Sequence, residues 1–135
     1  MEIQPITLFL FILVILLTLL LLAFFKPSQI KLNKVKYQNA LLGIKNDFER
    51  SQYQLVILNS DKLMDQALRG LRVRGLTMGE RLKNSKNLKL NLNQVWQVHK
   101  LRNRVAHEVG FKVSRSDAQL AYNSTRDNLK KLNII

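Results

Sequence analysis

The sequence predicts an all-α chain in which one N-terminal transmembrane helix precedes a small antiparallel helical bundle. Residues 6–25 carry no charged side chain and are almost entirely large and apolar. Over the remaining residues, apolar side chains recur every three or four positions, which is the spacing of one helix face. No segment alternates convincingly between apolar and polar side chains, as a half-buried strand does. These three observations favour helices throughout.

The first predicted element is a single membrane-spanning helix that occupies most of residues 1–25. At a rise of about 1.5 Å per residue, the uncharged run reaches about 30 Å, the thickness of the hydrocarbon core. Pro5 and Pro27 bracket this run. A removable signal peptide fits poorly, because no basic residues precede the run and no small-residue cleavage site follows it. We therefore expect a permanent, single-pass anchor.

The charges around the anchor predict its orientation and a basic juxtamembrane linker over residues 26–36. Glu2 is the one charged side chain before the apolar run. The lysines that follow the run are Lys26, Lys31, Lys34 and Lys36. Because lysine is enriched on the cytoplasmic side of a span, the N-terminus is expected outside the cell membrane and the C-terminal domain in the cytoplasm. The same lysines are expected to contact acidic lipid headgroups of the bilayer.

The C-terminal domain, residues 37–135, begins with two predicted helices. Residues 37–48 form a short amphipathic pattern, and residues 52–73 form a stronger one. The apolar face of the second helix consists of Ile57, Met64, Ala67, Leu68 and Leu71. Gly75 is expected to end this helix, because glycine readily adopts the backbone conformation found at helix C-termini.

Three further helices are predicted from their terminal residues. Thr77 and Glu80 form the S/T-x-x-E pattern that opens a helix, here a short one. Residues 85–91 are expected to form a loop, after which a longer helix extends to Gly110. Ser114 opens the last helix. A helical domain of this size has a small core, which makes a homodimer plausible.

Composition indicates anionic partners and argues against several kinds of site. The chain has 22 Lys and Arg against 9 Asp and Glu, a net charge of +13. Such an excess favours RNA, DNA or an acidic membrane, although a solvated basic surface would account for it equally well. With no cysteine and two histidines, disulfides are impossible and a conventional zinc site is not expected. No phosphate-binding glycine loop or serine nucleophile motif occurs, so no cofactor is expected.

The helix after residue 91 carries an arginine in the middle of its apolar face. That face consists of Leu92, Val95, Val98, Val105, Ala106 and Val109. A guanidinium that faces a core is costly unless it is paired or used in chemistry. One interpretation of Arg102 is a structural ion pair with Asp61 on the preceding long helix, where Asp65 lies one turn further on. Asp65 is also four residues before Arg69, a spacing at which the two pair on one helix.

Other polar residues of this helix have structural interpretations as well. His99 lies toward the edge of the apolar face, where a histidine is more often part of a core than a catalyst. His107 lies just outside that face, near the helix end, where a partly protonated imidazole interacts favourably with the helix dipole. Arg104 and Glu108 are four residues apart and are expected to pair on the surface.

The residues Arg102, Asn103 and His107 form the pattern R-N-x-x-x-H near the end of the third helix predicted within residues 50–132. This pattern resembles the signature of the HEPN superfamily, the higher eukaryote and prokaryote nucleotide-binding domains. The similarity covers residues 50–132. It looks like the HEPN-type domains that follow a membrane span in some bacterial proteins.

The resemblance implies a dimeric helical bundle in which the motifs of two subunits face one cleft. Many HEPN domains are ribonucleases that need no metal and leave a 2′,3′-cyclic phosphate. By this resemblance, His107 would move a proton, Arg102 would hold the scissile phosphate, and Asn103 would orient one of them. Lys100 and Arg104 on the same helix are expected to contact nucleic acid.

Two functions remain open from the sequence. The first is a membrane-anchored, metal-independent ribonuclease that uses Arg102 and His107. The second is a non-catalytic HEPN-like module that binds RNA or a protein partner at the membrane and uses Arg102 as internal scaffolding. Both interpretations predict a homodimer beside the lipid bilayer.

Overall fold

A computed structural model describes residues 5–24, 30 and 32–135, with the side chains of residue 6 and of residues 22–24 excepted. This part of the chain is helical and contains no strand. The helices are α1 (Pro5–Phe24), α2 (Lys34–Glu49), α3 (Tyr53–Gly70), α4 (Met78–Lys83), α5 (Leu92–His107) and α6 (Arg115–Lys131). The predicted all-helical fold class is thereby confirmed.

Helix α1 contains residues 6–24 of the apolar run, and all of its described side chains are exposed. It contacts none of the other described helices. Within the described part of the chain, no helix is both long enough and apolar enough to cross a membrane. The single-pass anchor and its orientation therefore stay predictions.

The linker predicted over residues 26–36 ends earlier than expected, because α2 begins at Lys34. Lys26 and Lys31 lie outside the described residues, whereas Lys34 and Lys36 are exposed in the first turn of α2. Helix α2 begins at residue 34 because Asn33 caps it: the side-chain oxygen of Asn33 accepts a hydrogen bond from the backbone N–H of Lys36 at 3.0 Å. The predicted start at residue 37 was wrong by one turn.

Helix α3 is the centre of the bundle and packs against α2, α4, α5 and α6. Its fully buried apolar side chains are Val56, Ile57, Met64, Ala67 and Leu68. Because α3 meets neighbours around most of its circumference, its buried face is wide, as expected for a central helix. The groove described below lies along one edge of this face.

Gly75 does not end α3, contrary to the sequence-based expectation. The helix ends at Gly70, and the chain turns at Arg72, whose φ is +58°. Gly75 has a φ of +147°, and a Cβ added there would lie 2.7 Å from the backbone nitrogen of Arg81. Its role is therefore to let the loop pass close to the backbone of α4.

The capping residues predicted for α4 and α6 begin both helices. Thr77 accepts a hydrogen bond from the backbone N–H of Glu80 at 3.2 Å, and the Glu80 carboxylate accepts one from the backbone N–H of Leu76 at 2.7 Å. At α6, Ser114 and Asp117 form a reciprocal capping box. Local hydrogen bonding alone therefore accounts for these two helix starts.

Candidate functional site in the groove between α3 and α5

An open groove of about 730 Å³ lies where α3, α5 and the first turn of α4 meet. Its polar lining includes Asp61, Asp65, Arg81, His99, Arg102 and Asn103. A volume of this size is within the range of ligand-binding clefts. The structure thus gathers two predicted catalytic residues, Arg102 and Asn103, with both predicted structural partners, Asp61 and Asp65.

The Asp61 carboxylate joins α3 to α5 at the middle of the groove. One of its oxygens lies 2.9 Å from Nδ1 of His99, and the other lies 3.7 Å from Nε of Arg102. His99 and Arg102 are three residues apart on α5, so they lie on the same side of that helix. An ionised carboxylate only accepts hydrogen bonds, so the hydrogen of this pair is on Nδ1 of His99.

Arg102 lines the groove wall and is not a core residue, which corrects the interpretation of the α5 face. Its side chain is 41% exposed. Besides the long ion pair with Asp61, its Nη1 donates a hydrogen bond to Oδ1 of Asn103 at 3.2 Å. A guanidinium has five N–H donors, so several remain available at the groove.

The outer part of the predicted α5 face is also exposed. Val95 and Val98 are buried, but Ala106 and Val109 are exposed. For Val109 the physical reason is that α5 ends at His107, and Glu108 takes an extended conformation that carries the chain away from the helix. Residue 109 therefore cannot continue the helical face.

The Asp65 carboxylate holds α4 against α3 at one end of the groove. Nε and Nη2 of Arg81 each lie 2.7 Å from one oxygen, and Nη2 of Arg69 lies 2.8 Å from the other. Arg81 also donates from Nη1 to the carbonyl of Gly75. Arg81 is nearly fully buried, whereas Arg69 is exposed. This cluster positions the α4 turn that forms the groove wall.

The remaining predicted site residues lie away from the groove. His107 is exposed at the last position of α5, and among the described residues its side chain has no hydrogen-bonding partner. Lys100 is exposed. Arg104 lies 3.0 Å and 3.1 Å from the two carboxylate oxygens of Glu108, and its guanidinium lies 4.0 Å from the ring centroid of Phe111.

Helix geometry explains why the structure separates His107 from Arg102. Five residues correspond to a rotation of about 500°, so the two side chains point about 140° apart around α5. They cannot both project into the same groove of one chain. The arginine and the histidine of the R-N-x-x-x-H pattern, Arg102 and His107, therefore lie on different sides of α5.

Sequence reasoning missed His99 and Arg81 as residues of the site. His99 is 14% exposed, and its ring packs edge-on against Trp96 at 5.8 Å between centroids. Its three-residue spacing from Arg102 was the available signal for His99. No local signal identifies Arg81, because its partner Asp65 lies on another helix.

The arrangement places a partly exposed guanidinium beside an imidazole that a carboxylate orients. Among the described residues, no three histidine or carboxylate side chains come close enough to hold a metal ion. No protein-family model, curated protein or solved structure matches the chain. The chemistry of the groove itself therefore carries the argument about function.

Proposed function

We propose that this chain is a membrane-anchored, HEPN-like domain that binds RNA in the groove and cleaves it without a metal ion. The observation that carries the proposal is the position of Arg102. Its guanidinium is partly exposed at an open groove, and its ion pair with Asp61 is long. Planar guanidinium groups bind phosphate through two parallel hydrogen bonds, so Arg102 is suited to hold a phosphodiester.

Nearby charges support an anionic ligand. Lys62 and Arg69 line the same groove, and both are exposed. The chain as a whole has a net charge of +13. Because an RNA backbone carries one charge per nucleotide, several such contacts would make binding strongly dependent on salt.

A homodimer would reconcile the exposed His107 with a role in cleavage. Arg102 and His107 point about 140° apart on α5, so His107 meets a phosphate held by Arg102 only when a second copy presents it. We propose that two α5 helices pair in this way. Sedimentation of the full chain in detergent tests this step, and a strictly monomeric protein would contradict it.

The anchor part of the proposal depends on the N-terminal sequence. Residues 6–25 are uncharged, and exposed Lys34 and Lys36 follow at the start of α2. With lysines on the cytoplasmic side, the groove would face the cytoplasm. Protease added to intact cells should leave the C-terminal domain uncut. Digestion of that domain from outside would reverse the orientation.

The decisive test of RNA binding compares two arginines on the same helix. In the full chain in detergent micelles, Arg102→Gln should weaken binding of a fluorescent RNA oligonucleotide about tenfold or more, because a phosphate contact is lost. Arg104→Gln is the matched control: the sequence led us to expect a nucleic-acid contact from Arg104, but this side chain lies outside the groove lining and is paired with Glu108. Equal affinities for the two variants would contradict the groove as the binding site.

Cleavage is measured on the same oligonucleotides in EDTA, and the products are examined for a cyclic phosphate. The proposal requires the wild-type chain to cut RNA under these conditions. A second function, a non-catalytic module that binds RNA or a protein partner, is favoured by the surroundings of His107. A general base is usually held in place by a hydrogen-bonding partner, and among the described residues His107 has none. Binding without cleavage would identify that module.

A further inference from the structure

The imidazole of His99 is fixed with one nitrogen on Asp61 and the other beside the groove. Nδ1 donates to the Asp61 carboxylate at 2.9 Å. A Cβ added to Gly79 would lie 3.8 Å from Nε2 of His99 and 4.0 Å from Oγ1 of Thr77. Both Thr77 and Gly79 line the groove. Nε2 therefore lies at the groove wall, at a place where α4 has no side chain.

This Nε2 has the properties of a proton acceptor. Because Nδ1 carries the hydrogen of the neutral ring, Nε2 has a free lone pair. Among the described residues, no donor is bonded to it. A carboxylate that holds Nδ1–H fixes both the tautomer and the ring orientation, and it stabilises the imidazolium that forms when Nε2 takes a proton.

The same carboxylate also holds the anion-binding group. Asp61 contacts His99 through one oxygen and approaches Arg102 through the other. Both side chains leave the same side of α5 three residues apart, and both line one cavity. A phosphate bound by Arg102 would therefore lie next to the imidazole of the same chain. His107, by contrast, lies outside the groove lining.

We propose that His99 is the general base of RNA cleavage in this groove and that Asp61 is its positioning residue. This inference depends on the proposed ribonuclease function and changes the residue that performs the proton transfer. The 2′-oxygen of the RNA forms a bond to phosphorus while Nε2 of His99 takes the 2′-hydroxyl proton. The bond from phosphorus to the 5′-oxygen breaks, and that oxygen takes a proton from water. The hydroxide that remains recovers the proton from His99.

One substitution separates a role of His99 as the general base from a purely structural role. His99→Asn keeps an amide N–H near the position of Nδ1, so the bond to Asp61 is retained while Nε2 is deleted. We expect the full chain to fold, to bind a non-cleavable 2′-deoxy oligonucleotide within about twofold of wild type, and to cleave RNA about 100-fold or more slowly. Gln97→Asn, at an exposed position of α5, is the matched control, and His107→Asn tests the base that the resemblance implies.

The positioning role of Asp61 needs a readout that loss of stability alone would not change. In ¹⁵N spectra of the full chain in micelles, neutral His99 should be the Nδ1–H tautomer. Asp61→Asn should populate the other tautomer and slow cleavage about tenfold or more. In the wild-type chain, the non-cleavable oligonucleotide should shift the Nε2 resonance of His99. This last measurement requires no variant to fold.

The outcomes distinguish this inference from the proposed function. If His99→Asn cleaves like the wild type and His107→Asn does not, His99 is overturned as the base and the ribonuclease stands. An unchanged Nε2 resonance in the presence of bound oligonucleotide also overturns His99. If the wild-type chain cuts no RNA, both the ribonuclease and the role of His99 are overturned.

Discussion

Two arginines bind the same Asp65 carboxylate, and their different burial predicts very different contributions to stability. Nε and Nη2 of Arg81 lie 2.7 Å from one oxygen with 4% of the side chain exposed, whereas Arg69 lies 2.8 Å from the other with 62% exposed. Removing one member of a buried pair costs about 3–5 kcal/mol. An exposed pair at this spacing contributes about 0.3–0.5 kcal/mol.

The structure lowers the destabilisation that we expect from removing Arg81. Asp65 keeps its ion pair with Arg69 after Arg81→Met, so its charge is not left entirely unpaired. The lost contacts are those to Asp65 and to the carbonyl of Gly75, and methionine fills most of the space. We therefore expect Arg81→Met to cost about 2–4 kcal/mol, which most domains of 5–15 kcal/mol survive. Arg69→Met should cost about 0.5 kcal/mol or less.

Urea unfolding of the full chain in mild detergent measures both variants. The one tryptophan, Trp96, lies beside the α4 turn, because a Cβ added to Gly79 would lie 3.6 Å from its ring. Its fluorescence therefore reports loss of this region, and circular dichroism reports the whole bundle. A double-mutant cycle of Arg81→Met with Asp65→Asn should give a coupling of about 1–3 kcal/mol. If Arg81→Met destabilises no more than Arg69→Met, the buried pair does not hold α4 and the reasoning fails.

The remaining predictions concern the bundle that supports the groove. Leu68→Ala should lower the free energy of unfolding by about 2–5 kcal/mol because Leu68 is fully buried, whereas Leu76→Ala at a position that is 90% exposed should change it little; equal losses in urea unfolding would contradict the core assignment. Ser114→Ala should cost about 1 kcal/mol through loss of the α6 cap, measured in the same way, and no change would mean that water replaces it. Burial raises the pKa of the Tyr37 phenol, so folding favours its neutral form; stability should be complete below about pH 10 and fall as the pH rises toward the folded-state pKa, and Tyr37→Phe should reduce that fall in unfolding measured across this pH range. An unchanged fall in that variant would refute the assignment to Tyr37.

The fold was predictable where the determinants are local. Thr77 and Ser114 begin helices because their side chains accept hydrogen bonds from backbone groups three residues ahead. This interaction involves only residues that are close in the sequence. Asn33 acts in the same way and could have been recognised as the start of α2. Gly75 was misread because the reason for a glycine there is the backbone of α4, which belongs to a different part of the sequence.

The site was less predictable because its residues meet through tertiary packing. Periodicity placed Arg102 on the buried side of α5, but periodicity cannot separate a core from a groove that borders the core. The structure leaves the guanidinium partly exposed because the adjoining side of α3 presents Asp61 there instead of an apolar residue. Arg81 was missed for a related reason, since its partner lies sixteen residues earlier on another helix.

The two histidines show what decides between candidate bases. Both lie within five residues of Arg102, and the R-N-x-x-x-H pattern favours His107, which lies five residues after Arg102. On a helix, position −3 is about 60° from Arg102 and position +5 is about 140° away. Only His99 therefore shares the groove with the guanidinium. It is also the one held by a carboxylate, that of Asp61, which is 38 residues distant in the sequence. Proton transfer at a bound phosphate depends on an oriented imidazole within reach, so in a single chain geometry assigns this role to His99.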